Sequence, residues 1–219
     1  MNQAFSNLDK GKQRRIIDAC MEEFAAHGYA QASTNSMVKA ADISKGLLFH
    51  YFGSKRDLYL HLFQLAMTES TEWFLQGMGE QSADLMERIL HWTKRKLEMF
   101  REKRTVYYFS LSVLDPHLPT ELRLALQQLQ ADLTAEMTAR MLEGVDWSRF
   151  RPGIDRQLAV RLVFSALQAL ADDYLRLHQQ GVGLSQEQYD QTLRDVRTVT
   201  DYLKQGLYPQ TESAPIANL

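Results

Sequence analysis

The chain has 219 residues, 45% of them hydrophobic and 24% charged, with a formal net charge of −2. That is apolar matter enough for a sizeable core, and it excludes both a disordered chain and an acidic-substrate trap. One cysteine excludes an internal disulfide framework.

The opening MNQAFSNLDKGKQRR carries charge but no apolar segment of a secretory signal, so a cytoplasmic protein is expected. Apolar residues then recur at three and four, without the alternation of strands, and the expected fold class is all-α, with about nine helices. The first helix runs from about Asp9 to His27, with Ile16, Ile17, Cys20 and Phe24 on one face and Gly28 as its stop. Ser33 or Thr34 caps a short helix ending near Ala41, and Ser44 caps a second, Lys45 to Tyr51, which Gly53 closes. Ser54 then caps a long helix from Lys55 toward Trp73. Further helices are expected from about Leu85 to Phe100, up to Leu114, from Thr120 through Met141, from Asp155 to near Gly181, and from Ser185 to Leu207. The apolar run from Leu158 to Leu175 is interrupted by Arg161, Gln168, Asp172 and Asp173, so it reads as a buried helix, not a membrane span. The end of the chain has the composition of a frayed tail.

Residues 44–55, SKGLLFHYFGSK, hold more rings than a solvated helix carries and more lysines than a core helix tolerates. Two short helices joined by a tight turn, the second capped by Ser44, make a helix-turn-helix, and a helix that enters the DNA major groove wants both. Leu48 and Phe52, four apart, face inward. Residues 1–60 carry eight Lys or Arg against six Asp or Glu, and the rest carries 17 against 21, a mild asymmetry compatible with a polyanion at the N-terminal end.

The stretch IIDACMEEFAAHGYAQASTNSMVKAADISKGLLFHYFGSKRDLYLHLF, residues 16–63, resembles the N-terminal signature of the TetR family of bacterial transcriptional regulators. The resemblance implies an N-terminal three-helix, helix-turn-helix DNA-binding domain (1–52), a C-terminal helical ligand-binding and dimerisation bundle (53–208) and a flexible tail (209–219). It implies that Thr34 binds a phosphate, that Ser44 caps the recognition helix, that Lys45, Gly46, Leu47, Phe49 and His50 face the bases, and that Tyr51 and Lys55 hold backbone phosphates. Three positions depart from the family. Asp42 stands where glycine is usual in the turn, and Asp tolerates the left-handed conformation required there. Leu47 replaces a frequent Thr or Ser, leaving an apolar contact suited to a thymine methyl. Phe49 replaces a frequent Tyr, removing a hydroxyl.

The family also implies a palindromic double-stranded DNA operator, a homodimer and a small effector that releases the DNA. The rings and thioethers of the middle helices point to a hydrophobic or aromatic effector, with Trp73, Phe100, Tyr107, Tyr108, Phe109, His117, Met137, Met141, Gln168 and Tyr174 as candidate lining residues. Leu162, Leu170, Val196, Val199 and Leu203 are the candidate dimer contacts, because the run after Asp155 is apolar on more sides than one chain covers. Cys20 reads as a small core residue. The six histidines show no ligand spacing, so neither metal nor cofactor is expected. Asp172 and Asp173 diverge by about 100° on a helix and form no catalytic dyad, and no phosphate loop or nucleophile elbow is present, so an enzyme is not expected. The basic run Lys94, Arg95, Lys96, Arg101, Lys103 and Arg104 reads as a solvated helix face that could also meet a phosphorylated effector. The alternative function is a helical protein-interaction module regulated by a protein partner.

Overall fold

The computed structural model describes residues 3–77, 81–111, 115–178 and 185–209, with Tyr108, Gln168 and residues 171–178 described by backbone alone. Among these residues every regular element is helical. A short helix that the sequence patterns do not announce, α1 (Gln3–Ser6), comes first; four residues are too few to show a period. Its Phe5 is buried against the rings of Phe52 and Tyr51, with centroids 4.8 and 5.6 Å away. α2 (Lys10–Gln31) starts on Asp9, whose carboxylate accepts from the Lys12 amide. Gly28 does interrupt this helix, at φ 67°, but one further turn follows the kink. α3 (Thr34–Ala41), α4 (Lys45–Phe52) and α5 (Lys55–Gln76) begin on Ser33, Ser44 and Ser54. Each serine Oγ accepts the amide three residues on, at 3.3, 3.2 and 3.1 Å. A cap of this kind stabilises its helix by about 1 kcal/mol.

The remaining helices are α6 (Leu85–Glu102), α7 (Arg104–Ser110), α8 (Thr120–Leu142), α9 (Arg156–His178) and α10 (Gln186–Leu207), with a 3-10 turn at Trp147–Arg149. The chain divides into two compact units, Met1–Gly77 with Met99–Arg140, and Met78–Glu98 with Met141–Leu219. Compactness thus cuts the chain elsewhere than after residue 52, because α5 packs with α2, α4 and α7 inside the first unit.

The first unit is built on aromatic contacts. Tyr59 of α5 meets Phe24 at 4.8 Å, Tyr29 at 5.0 Å and Phe109 of α7 at 4.9 Å. Ile16, Cys20, Met37, Leu48, Leu62 and Phe63 complete the core. Burial pushes the Cys20 thiol up to about 12, so it remains a protonated, inert core group.

The second unit has a mainly aliphatic core of Leu85, Met86, Ile89, Val145, Val163 and Leu207, with the ring of Phe150 among them. Beside it lies one buried carboxylate, Asp84, which accepts from the Met86 amide at 2.8 Å and the Tyr208 hydroxyl at 2.9 Å. It also pairs with Lys204 at 3.0 Å and Arg149 at 3.3 Å. Burial alone would raise its pKa. The bonds from Lys204, Tyr208 and Met86 prevail and hold it below the usual carboxylate value. Met141, a candidate effector residue, belongs to this core. The expected dimer contact Val196 is 2% exposed and therefore closed to a partner, while Leu170, Val199 and Leu203 are half-buried. Leu162 keeps the expected outward position, and Leu158 and Tyr202 join it as large exposed apolar side chains. The expected end of the α9 pattern near Gly181 and most of the tail lie outside the described residues.

Candidate nucleic-acid interface

Between α3 and α4 the chain turns through Asp42, at φ 55° and ψ 51°, the left-handed conformation that its sequence position demands. The Asp42 and Ile43 amides donate back to the carbonyls of Lys39 and Val38, and Arg15 Nε of α2 reaches the Ala41 carbonyl at 3.1 Å. The Ser33 amide donates to the Glu23 carboxylate at 2.8 Å. These bonds set the angle between α3 and α4 from the α2 side.

On α4, Leu48 and Phe52 point inward, as their spacing implies. Ser44, Lys45, Gly46, Leu47 and His50 are exposed, and Phe49 and Thr34 are half-exposed. A Cβ at Gly46 would meet nothing nearer than the Ser44 Oγ at 3.9 Å. No internal contact therefore calls for glycine, although glycine costs a helix about 0.5–1 kcal/mol relative to alanine.

Two candidates are placed otherwise than expected. Tyr51 is 6% exposed, its ring covered by Phe5 of α1. Lys55 sends its ammonium back to the end of α2, donating to the Ala32 carbonyl at 2.7 Å and the Ala30 carbonyl at 3.4 Å, above the Tyr29 ring. Burial lowers its pKa, against the opposing charge of Glu23. Lys55 thus caps the terminus of α2, where unsatisfied carbonyls gather, instead of projecting toward a phosphate. No local spacing shows this, since both partners come from another helix. Asn35 and Ser36, exposed in the first turn of α3, add polar groups beside Thr34 that no motif singles out.

The effector candidates scatter. Phe100, Tyr107 and Phe109 take core positions at 3%, 5% and 1% exposure, packed by other rings. His117 is exposed, its amide tied to Asp115. Trp73 is half-buried with the Lys103 ammonium 5.7 Å over its ring, and Met137 is half-buried on α8. The side chains of Tyr108, Gln168 and Tyr174 lie outside those described. Among the described residues no cluster of His, Cys, Asp or Glu could hold a metal ion, and no helix is long and apolar enough to cross a membrane.

A capped pair of short helices joined by a left-handed turn, the second offering a mixed basic and apolar face, is a helix-turn-helix of the DNA-reading kind. The sequence model of the bacterial regulatory proteins of the tetR family matches residues 16–62. The fatty acid metabolism regulator protein of Bacillus subtilis is 27% identical over 71% of this chain and 79% of its own length. The transcriptional repressor AcnR of Corynebacterium glutamicum is 26% identical over 66% and 83%. Among solved structures, FadR of Bacillus subtilis in complex with stearoyl-CoA has the same fold, with a TM-score of 0.64 and 20% identity over 89% of this chain and 99% of that one. Residues 16–62 thus match the N-terminal domain of the tetR family of bacterial regulatory proteins, and the fold beyond them is that of FadR.

Proposed function

We propose that this protein is a ligand-responsive repressor that binds a palindromic operator as a homodimer and leaves it when a small, largely apolar effector binds. It is a binding protein of the cytoplasm, where its DNA is, and not an enzyme. The observation that carries the reading is the exposed face of α4, where Lys45, Gly46, Leu47 and His50 stand above the buried Leu48 and Phe52. Lys45 and His50 supply hydrogen-bond donors for base edges, and Leu47 an apolar contact for a thymine methyl. The exposed Leu158 and Leu162 of α9 support a second copy, because two large leucines at i and i+4 form one apolar stripe open to water.

The effector reading rests on α8. Its apolar stripe is buried at Leu122 and Leu126, yet Leu129, Leu133 and Met137, the next positions of the same face, are only half-covered. A core stripe that opens midway leaves room for an apolar guest. The stearoyl-CoA held by the Bacillus relative favours a long-chain acyl group as that guest. Its influence would travel through α7, which packs against both α5 and α2 and sets Phe109 against the paired rings of Phe24 and Tyr59. A coupling of about 1–3 kcal/mol changes operator affinity about 5–150-fold, and linkage requires the same factor in effector affinity.

The test is a pair of titrations of an operator selected by the protein. Lys45→Ala/His50→Ala should weaken specific binding while leaving the melting temperature unchanged, and a long-chain acyl thioester should weaken binding by wild type. Unaltered DNA affinity in the double variant would overturn the assignment of α4, and indifference to every acyl compound that binds the protein would overturn the effector class.

A further inference from the structure

The basic run that begins at Lys94 does not behave as one solvated face. Arg95 pairs with Glu98, and Lys103 with Glu69. Lys94 instead borders a groove of about 400 Å³ within the second unit, between α6 and α10. From α6 come Glu87, Leu90, His91 and Lys94, at i, i+3, i+4 and i+7, which is one helix face. From α10 come Leu193, Arg194 and Arg197. Three permanent cations and a histidine thus face one acid, and that acid already accepts a hydrogen bond from Ser82. Among the described residues Lys94, Arg194 and Arg197 make no ion pair, an uncompensated convergence of positive charge in a protein whose net charge is negative.

The Arg194 guanidinium is also held in place. Its Nε and Nη2 donate to the Gln191 side-chain oxygen at 3.2 and 2.6 Å, and the Gln191 amide nitrogen donates in turn to Asp195 at 2.8 Å. A neutral amide therefore orients the guanidinium without cancelling its charge, leaving its remaining N–H groups for a ligand oxyanion. Leu90 and Leu193 give the groove a short apolar wall. Its volume suits a nucleotide-sized molecule and is far too small for a duplex.

We propose that the groove between α6 and α10 binds a phosphorylated small molecule, with Lys94, Arg194 and Arg197 on its phosphates and Leu90 and Leu193 against its less polar part. The site is separate from the operator-reading face of α4 and does not depend on the effector class proposed above. Phosphate is favoured over carboxylate because two arginines and a lysine converge from two helices, a geometry that serves a tetrahedral group with several oxygens better than a planar one.

The experiment is calorimetric titration of the full-length protein with ADP, pyrophosphate, citrate and adenosine, on wild type and on a Lys94→Gln/Arg194→Gln/Arg197→Gln variant. All three side chains are largely solvent-exposed, so the variant should melt within a few degrees of wild type. The expected result is saturable binding of ADP and pyrophosphate that weakens with salt, no binding of adenosine, and at least a tenfold loss of ADP affinity in the variant. Lys94→Arg should retain binding, which separates a charge requirement from a structural one. Equal ADP affinity in wild type and variant overturns the proposal, as does citrate binding as tightly as pyrophosphate. A variant that loses DNA affinity and salt dependence while its ADP affinity is unchanged would make the groove a nucleic-acid contact instead. None of these outcomes alters the test of α4.

Discussion

The helix-turn-helix and the α9–α10 pair show two kinds of surface. On α4 the apolar side chains Leu48 and Phe52 are covered by the chain itself, the N-cap is satisfied, and what remains outside is mixed and mostly polar. On α9 the chain covers Ala159 and Val163 but leaves Leu158 58% and Leu162 49% exposed. The first surface is complete in one copy, as the DNA-reading role proposed for it requires. The second is incomplete in one copy, which is the physical signature of a face that another protein surface closes.

The largest expected effect breaks the second surface. Leu158→Asp/Leu162→Asp places two charges on the exposed stripe without entering the core, so the fold should survive. Sedimentation should show a monomer where wild type is a dimer, and operator affinity should fall roughly a hundredfold as the second half-site is no longer linked to the first. An unchanged dimer with unchanged affinity would move the interface elsewhere.

Next comes the buried carboxylate of the second unit. Asp84→Asn removes the charge that Lys204 and Arg149 face, and should cost about 1–3 kcal/mol of stability in urea unfolding. The pH dependence has a definite sign. The folded Asp84 carboxyl has a depressed pKa, so its stabilisation is fully present above the unfolded value of about 3.9 and is lost as pH falls through the lower folded value. The variant should therefore lose part of the acid-side fall in stability seen in wild type. An identical acid limb in both proteins would show that Asp84 does not set it.

These contrasts also show which features could be read from sequence. The caps at Ser33, Ser44 and Ser54 depend on groups three residues apart and are legible from their neighbours; Gly28, expected as the stop of its helix, breaks it with one further turn beyond, and the left-handed Asp42 follows from the family pattern. The inward Leu48 and Phe52 follow from helical period alone. Lys55 capping α2, Phe5 covering Tyr51, and Val196 turning into its own core depend on partners from distant segments, which no local pattern reports. The α6–α10 groove is of the same kind. Each helix supplies an ordinary charged face, and only their juxtaposition makes a site. Aromatic content is read less directly. Phe100, Tyr107 and Phe109 have the composition of a pocket, but helically spaced rings pack on one another first.

Smaller effects sharpen the first surface. Lys45→Ala should weaken operator binding about tenfold and reduce the slope of log affinity against log salt by at most about one unit, whereas Leu47→Ala should change sequence preference without changing that slope. Lys55→Ala should act mainly on stability, lowering the melting temperature through the lost cap on α2. A full unit of salt slope lost in Lys55→Ala, with no change in melting, would restore it as a phosphate ligand. The smallest effect belongs to Asp42→Gly, which relieves a left-handed residue while freeing the unfolded chain, and should shift stability by less than about 1 kcal/mol.

The most direct measurement is selection of binding sites from a pool of random duplexes by the purified protein, run beside a Lys45→Ala/Leu47→Ala/His50→Ala variant. The account predicts an inverted repeat with half-site centres about one helical turn, roughly 34–36 Å, or a multiple of it apart. It also predicts that the variant loses this preference while melting as wild type does. Enrichment of the same sequence by the variant, or of a site without two-fold symmetry, would contradict the claim that the exposed face of α4 reads the operator in a symmetric pair.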